Sequence, residues 1–308
     1  MQAINIKNLM KRYGTHQVLN GVNLSVDAGE FYALMGPNGC GKTTLASVMA
    51  SVTSFDSGTL EICGKKPDQV RNLIGYIPQD NFSVPQLTGW ENLMYFGGLL
   101  GYSGKNARLI IEEILNKIDL LGEANKRVAH YSGGMRKRLE IGTALFPCVR
   151  VLILDEPTTG LDPAARRDFF NLIQSIKDKQ ASIFLISHIG TDAEFASKVG
   201  LINRGKIIVE DTPIGLRAAY SPEDVITLET SVRNKRAEDL IRDYSYQRKI
   251  TEIETGYRIY SRDSDAVVPE VTRTLNNAGF QVIRTEVTKS TLEDVFFKLT
   301  EQKMQEAN

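Results

Sequence analysis

The chain has 308 residues, 42% of them hydrophobic, which is enough for one large folded domain and a smaller companion. Its 37 lysine and arginine residues balance 37 aspartate and glutamate residues, and a formal net charge of zero argues against a nucleic-acid-binding protein, which usually has a basic face. Three scattered cysteines predict no disulfide framework, and no apolar run approaches the ~18 residues of a membrane helix, so any work at a membrane would need a separate spanning protein.

The first part of the chain predicts an α/β domain. Its alternating N-terminus indicates a strand rather than a signal peptide, and residues 1 to about 30 predict two or three antiparallel strands. The remaining predictions are strands at 31–35, 59–64, 74–77, 151–154 and 182–186, helices at 42–52, 88–121, 132–146 and 163–177, and a hairpin at 200–209. Continuous apolar runs joined by helices indicate parallel strands that are buried on both faces.

A change of pattern near Tyr220 predicts a boundary between a domain at 1–220 and a second domain at 221–308. The second domain predicts strand 224–230, helix 235–244, strands 247–254 and 256–261, helix 265–278 and strand 280–287. This β-α-β-β-α-β order is the ferredoxin-like arrangement, and a last helix is expected at 291–304. The role of this domain stays open between dimer formation, docking on a partner and regulation.

The segment between the strand at 31–35 and its helix has the pattern Gly-x-x-x-x-Gly-Lys-Thr. Glycines let successive backbone N–H groups turn toward a phosphate, and the helix adds the positive end of its dipole. Lys42 is expected to reach the β- and γ-phosphates of ATP, and the Thr43 hydroxyl is expected to ligate Mg²⁺. The predicted nucleotide contacts here are Gly36, Pro37, Asn38, Gly39, Cys40, Gly41, Lys42, Thr43 and Thr44.

Two acids follow the apolar strand at 151–154. Asp155 is expected to hold Mg²⁺ through water, and Glu156 is the candidate general base that polarises the attacking water. Neighbouring residues of a strand point to opposite faces, so the two carboxylates share a site only if the strand ends here, as Pro157 indicates. A third element, Ser132-Gly133-Gly134, opens a helix, with Ser132 as its N-cap and glycines that permit close approach of an anion.

The order of these elements resembles the ATPase domain of ABC transporters over about residues 2–220. The resemblance rests on the phosphate loop, Ser132-Gly133-Gly134-Met135, Asp155-Glu156-Pro157, Gly160-Leu161-Asp162 and two single residues, Gln79 and His188. It implies a P-loop ATPase fold with N-terminal antiparallel strands and a helical subdomain. It also implies ATP and Mg²⁺ as cofactors and ATP hydrolysis as the activity.

The resemblance also assigns roles residue by residue. Tyr13 matches the aromatic residue that stacks on adenine. Gln79 matches a glutamine that contacts Mg²⁺ and water, and His188 matches a histidine that contacts the γ-phosphate. Ser132, Gly133 and Gly134 match a signature that caps the ATP of a second ATPase domain, and Asp162 matches an interface residue. A homodimer with two shared ATP sites is therefore expected.

Two residues depart from the family pattern: Met135 stands where glutamine is common, and Cys40 where serine or alanine is common. Cys40 precedes a helix, where a thiol pKa falls, and this placement favours a hypothesis of redox sensitivity.

The form of the signature and the segment 290–297 resemble ATPases that pair with export permeases for drugs, lipids or polysaccharides. In that segment Ser290 or Thr291 is expected to cap a helix, with Val295, Phe296 and Leu299 packed inward. The resemblance implies a cytoplasmic protein bound to the inner face of the cell membrane through a permease. An importer ATPase with a regulatory C-terminal domain and an ABC-type ATPase outside transport stay as alternatives.

Overall fold

A computed structural model of the chain describes residues 2–177, 181–220, 223–289, 291–296 and 299. The chain divides into two compact units, Met1–Pro213 and Ile214–Asn308. This division falls somewhat before the boundary that we expected after residue 220.

The first unit contains nine strands and six α-helices of the described chain, and a seventh α-helix, α7, begins at its last residue. The strands are β1 (Gln2–Tyr13), β2 (His16–Asp27), β3 (Phe31–Met35), β4 (Ser57–Ile62), β5 (Ile74–Ile77), β6 (Val151–Asp155), β7 (Ser182–Ser187), β8 (Lys198–Asn203) and β9 (Lys206–Asp211). The helices are α1 (Lys42–Met49), α2 (Gly89–Leu99), α3 (Gly104–Lys117), α4 (Gly133–Gly142), α5 (Pro163–Lys177), α6 (Gly190–Ala193) and α7 (Pro213–Tyr220), of which α7 crosses the division between the units.

A six-stranded sheet with the order β5-β6-β7-β3-β8-β9 forms the centre of this unit. The first five strands are parallel, and β9 closes one edge as the antiparallel arm of the predicted hairpin. Every residue of β3, β6 and β7 is buried, which explains why their sequences are continuous apolar runs rather than alternating patterns. The prediction of parallel strands that are buried on both faces is confirmed.

A separate antiparallel sheet has the order β2-β1-β4 and confirms the strands predicted for the N-terminus. Between β5 and β6, helices α2, α3 and α4 pack around a second hydrophobic cluster that includes Leu93, Ile114 and Leu139. The helix predicted over 88–121 is two helices, because Gly101 takes a φ of 87° and ends the first of them. The helix predicted over 132–146 ends earlier, at Gly142.

The second unit follows the predicted β-α-β-β-α-β order. Its elements are β10 (Asp224–Thr230), α8 (Lys235–Arg242), β11 (Ile250–Ile253), β12 (Gly256–Ser261), α9 (Ser264–Asn277) and β13 (Val282–Thr288). The strands form an antiparallel sheet in the order β11-β12-β10-β13. The classification of this unit as ferredoxin-like stays a prediction.

Beyond β13 the described residues 292–296 are helical, and Thr291 caps them. The Thr291 hydroxyl accepts from the Asp294 N–H at 3.2 Å, and the Asp294 carboxylate accepts from the Thr291 N–H at 2.8 Å. Val295, Phe296 and Leu299 are buried as expected. Ser290, Phe297 and half of the predicted helix at 291–304 lie outside the described residues. Within the described ranges, no helix is long and apolar enough to cross a membrane.

The core of the first unit depends on Phe184 of β7. Its ring is fully buried and stacks on Tyr32 of β3, with centroids 5.3 Å apart. We expect Phe184→Ala to lower the free energy of unfolding by about 3–5 kcal/mol, because it leaves a cavity between adjacent strands. Urea unfolding followed by circular dichroism measures this loss. Leu109→Ala, on the exposed face of α3, is the control. An equal loss of stability in both variants would contradict the assignment of Phe184 to the core.

Candidate functional site

The loop between β3 and α1 is closely fitted to its surroundings. Gly41, the residue before α1, has a φ of 108°, which side chains other than glycine rarely allow. A Cβ atom at Gly41 would also lie 2.9 Å from the Val18 carbonyl oxygen of β2. Both the φ angle and the lack of space therefore require glycine at position 41 of the predicted loop.

The Lys42 side chain folds back into this loop and is almost fully buried. Its Nζ atom donates to the carbonyl oxygens of Gly36 at 2.8 Å and Pro37 at 3.0 Å. The same Nζ atom lies 3.9 Å from Oε1 of Glu156. This ion pair connects the loop to the residue that follows β6. Thr44, the third residue of α1, is half-buried.

Asp155 ends β6 inside the protein, with no solvent exposure. Its Oδ1 atom accepts from the Thr43 hydroxyl at 3.3 Å, while its Oδ2 atom has no hydrogen-bond partner among the described residues. Burial is the main cause that raises the pKa of Asp155 to about 6, and the nearby Glu156 also raises it, against the lowering effect of the Thr43 hydrogen bond. A buried carboxylate oxygen without a partner, beside a hydroxyl, suits a hard cation such as Mg²⁺.

Glu156 follows with a φ of 48°, which is unusual for a residue with a side chain. This left-handed turn ends the alternation of the strand, so both acids can face the same site, as the sequence required. The Glu156 N–H still donates to the Ile186 carbonyl of β7 at 2.9 Å. The Glu156 Oε2 atom lies 3.2 Å from Nδ1 of His188, which follows β7 directly.

Gln79 and Tyr13 lie at the margins of this group. Ile77 of β5 pairs with Leu154 of β6, so Gln79 follows at the same edge of the sheet as Asp155. Its side chain is exposed, and its carbonyl accepts from Lys137 at 3.4 Å. Tyr13 ends β1 with its ring half exposed, at the tip of the hairpin whose second strand contacts Gly41.

A second group of predicted residues gathers elsewhere, around the N-terminus of α4. Ser132 is the N-cap of α4, as predicted, and its hydroxyl accepts from the Met135 N–H at 3.2 Å. Gly133 and Gly134 share a surface concavity with Gly160 and Asp162. Asp162 caps α5 locally, because its Oδ1 atom accepts from the N–H groups of Ala164 and Ala165.

Glu140 of α4 is a buried acid that the sequence analysis did not single out. Its Oε1 atom accepts from the N–H and hydroxyl of Ser83, and its carboxylate pairs with Arg136 and Lys137. Because Lys137 also donates to the Gln79 carbonyl, these bonds tie the segment 79–83 to α4. The only signal in the sequence is an acid placed between the apolar residues Leu139 and Ile141.

The hypothesis of a reactive Cys40 assumed that the pKa of its thiol is lowered, and this premise is wrong. Cys40 is only 5% exposed, and burial raises the pKa of its thiol despite the lowering effects of Lys42 and backbone N–H groups. A buried, protonated thiol is a poor nucleophile and a poor target for oxidants. The proximity of a helix N-terminus was a correct observation, but burial outweighs it.

A phosphate-binding loop with a buried lysine, beside two acids at the end of a parallel strand, defines the class of P-loop ATPases. The family model for ABC transporters matches residues 19–159. A daunorubicin resistance ATP-binding protein of Streptomyces coeruleorubidus is 32% identical over 97% of this chain and 95% of that protein. A Nod factor export ATP-binding protein of Burkholderia lata is 33% identical over 98% of both chains.

A solved structure agrees with these relatives. The dimeric structure of a bacterial ABC transporter cassette has a TM-score of 0.62 and 26% identity, covering 68% of this chain and 98% of that one. The chain therefore belongs to the ATP-binding proteins of ABC transporters, and it binds and hydrolyses ATP. The predictions of the P-loop ATPase fold and of the activity are confirmed.

The raised pKa of Asp155 makes a pH-dependent contribution to stability. The folded protein holds this proton more tightly than the unfolded chain, so stability falls as pH rises from 3.8 to about 6 and stays lower above that range. We expect Asp155→Asn, in EDTA and without nucleotide, to be about 2–3 kcal/mol more stable than the unsubstituted chain at pH 7.5. The difference should shrink toward pH 4.

Thermal unfolding of both proteins between pH 4 and 8 measures this difference. Asp119→Asn, at a surface acid, controls for the loss of one negative charge. A gain for Asp155→Asn that does not change with pH would contradict burial of the charge as its cause.

Proposed function

We propose that this chain is the energy-coupling ATPase of an exporter, and that it works as a homodimer on the cytoplasmic face of a membrane with separate permease subunits. The observation that carries the ATPase part is the convergence of Lys42, Asp155, Glu156 and His188 at one edge of the sheet. Support for export comes from the relatives named above, one named for drug resistance and one for export, which match this chain over almost its whole length.

In this proposal Lys42 and the N–H groups of residues 36–44 bind the phosphates of ATP. Mg²⁺, when bound, neutralises phosphate charge, and Thr43, Asp155 and Gln79 are the residues that would hold it. Among the described residues, no cluster of three or more His, Cys, Asp or Glu side chains could hold a metal by itself. A site completed by nucleotide phosphates is consistent with that finding, because Mg²⁺ commonly uses one or two carboxylates with substrate phosphates.

Glu156 is proposed as the general base. Its carboxylate takes a proton from water as the water oxygen attacks the γ-phosphorus, and ADP leaves as the bond to the γ-phosphate breaks. His188 is placed to hold Glu156 and to contact the γ-phosphate, since its Nδ1 atom already approaches the carboxylate. Tyr13 is proposed to stack on adenine, which would give modest selectivity between nucleotides because a ring contacts the face of a base rather than its edge.

The second group of residues supports a dimer. Ser132 and Gly133 are exposed, and the glycines leave the N–H groups at the start of α4 open to an anion. We propose that this surface, with Asp162, closes on the ATP bound by the loop of a second copy. The match to a dimeric cassette supports this arrangement. ATP would then favour the closed dimer, and hydrolysis would release it.

Glu156→Gln tests both the base and the dimer. We expect ATP binding to persist while the rate of phosphate release falls by about 10²–10⁴-fold, because the amide cannot accept the proton. Size-exclusion chromatography with ATP and Mg²⁺ should then show a trapped dimer.

Two matched variants distinguish the effect on ATP binding from the effect on dimer formation. Ser132→Arg in the Glu156→Gln background should keep ATP binding and lose the dimer, whereas Lys42→Ala should lose binding itself. Unchanged turnover in Glu156→Gln would remove Glu156 as the base, and a dimer that survives Ser132→Arg would contradict the shared site.

The direction of transport is tested in cells that produce this chain together with the proposed permease subunits. We expect cells with Glu156→Gln to accumulate more of an exported compound than cells with the unsubstituted chain, across a panel of fluorescent amphiphilic drugs. Reduced accumulation in the variant would indicate the importer alternative. Equal accumulation throughout, with no membrane protein copurifying, would favour an ATPase outside transport.

A further inference from the structure

Asp192 is a fully buried carboxylate in the short helix α6, and it joins three separate segments of the chain. Its Oδ2 atom accepts from the hydroxyls of Thr158 at 2.5 Å and Ser187 at 3.0 Å. Its Oδ1 atom lies 3.4 Å from Nε of Arg166 in α5. These contacts draw Thr158, Ser187 and Arg166 together around one buried negative charge.

Two of these partners lie next to the proposed chemistry. Thr158 is two residues after Glu156, and Ser187 immediately precedes His188. The Ser187 hydroxyl also accepts from the Ile189 N–H at 3.0 Å, so the backbone on both sides of His188 is attached to the same cluster. Asp192 thereby connects the segment that carries Glu156 to the segment that carries His188.

The cluster is better suited to fixing geometry than to adding stability. Removing a carboxylate from water is costly, and a buried ion pair commonly adds little net stability over apolar packing. Oδ1 of Asp192 and Nε of Arg166 make no hydrogen bond within the described residues, although they lie at ion-pair distance. The two hydroxyl bonds on Oδ2, by contrast, are directional and hold both segments in fixed positions.

We infer that Asp192 is a positioning residue for ATP hydrolysis, which sets His188 against Glu156 without contacting the nucleotide. This inference rests on the proposed role of Glu156 as the base. Loss of the cluster lets the two segments shift relative to each other, and a displacement of about 1 Å at a reacting group can cost about 10²-fold in rate. The hydrogen bonds of Lys42 to the Gly36 and Pro37 carbonyls involve no member of the cluster, so we expect ATP binding to persist.

The test is Asp192→Asn in the full chain. The amide oxygen can still accept one hydroxyl, but the amide N–H groups face Arg166 instead of a carboxylate. We expect kcat for phosphate release to fall by about ten- to a hundred-fold, with KM and the affinity for a fluorescent ATP analogue within about twofold of the unsubstituted chain. Glu194→Gln removes an acid two residues away, at an exposed position, and should retain normal turnover.

Thr158→Val and Ser187→Ala each remove one hydroxyl and leave the charge, so they carry the test if Asp192→Asn does not fold. Each should lower kcat without raising KM. A second readout is non-additivity: Asp192→Asn should slow the Glu156→Gln variant by less than threefold, because a residue that acts through Glu156 has little effect once Glu156 is disabled.

The outcomes distinguish this inference from the proposed role of Glu156 as the general base. Normal turnover of Asp192→Asn beside a slow Glu156→Gln variant overturns the positioning role and leaves the base intact. Normal turnover of Glu156→Gln overturns the base. A fall in ATP affinity that accounts for the whole loss of activity in Asp192→Asn, or a full multiplicative loss in the double variant, shows a general structural role and also overturns the inference.

Discussion

Parallel strands β6, β7 and β3 run side by side, and the candidate ATP site lies where polar residues follow their carboxyl ends. Asp155 ends β6, His188 follows β7, and the phosphate loop follows β3. Hydrogen bonds between these strands fix the relative height of the three ends, because Asp155 pairs with Ile186 and Met35 pairs with Ser187. A sheet that is buried on both faces thus supplies a rigid edge, on which polar groups from distant parts of the sequence meet.

The same edge concentrates unfavourable features that the rest of the fold has to support. Asp155 is a buried carboxylate with a raised pKa, and Glu156 has a left-handed backbone that costs on the order of 1–3 kcal/mol. Both features put charge at the candidate site, because Asp155 keeps one carboxylate oxygen without a partner among the described residues and Glu156 is turned toward Lys42 and His188. The surrounding core of apolar strands is large enough to hold this local strain.

Local patterns predicted the site well where neighbours in sequence determine the structure. The glycine spacing before Lys42, the N-cap at Ser132 and the end of the strand at Asp155 all follow from short-range rules, and the structure has each of them. Burial is a tertiary property, which is why the same rules were wrong about the Cys40 thiol and gave no warning of Glu140 and Asp192. Helix α6 has only four residues and is too short for a periodic apolar pattern to reveal it.

The ion-paired contacts of Glu140 have a consequence for how two ATP sites could influence each other. Through Lys137 and Ser83 they join the segment of Gln79 to α4, and α4 begins at Ser132. In the shared-site dimer, Gln79 would border the nucleotide of its own subunit and Ser132 would border the nucleotide of the other. In that proposed dimer, one subunit would contain a direct mechanical link between both nucleotides, and cooperative turnover would need no additional allosteric site to transmit it.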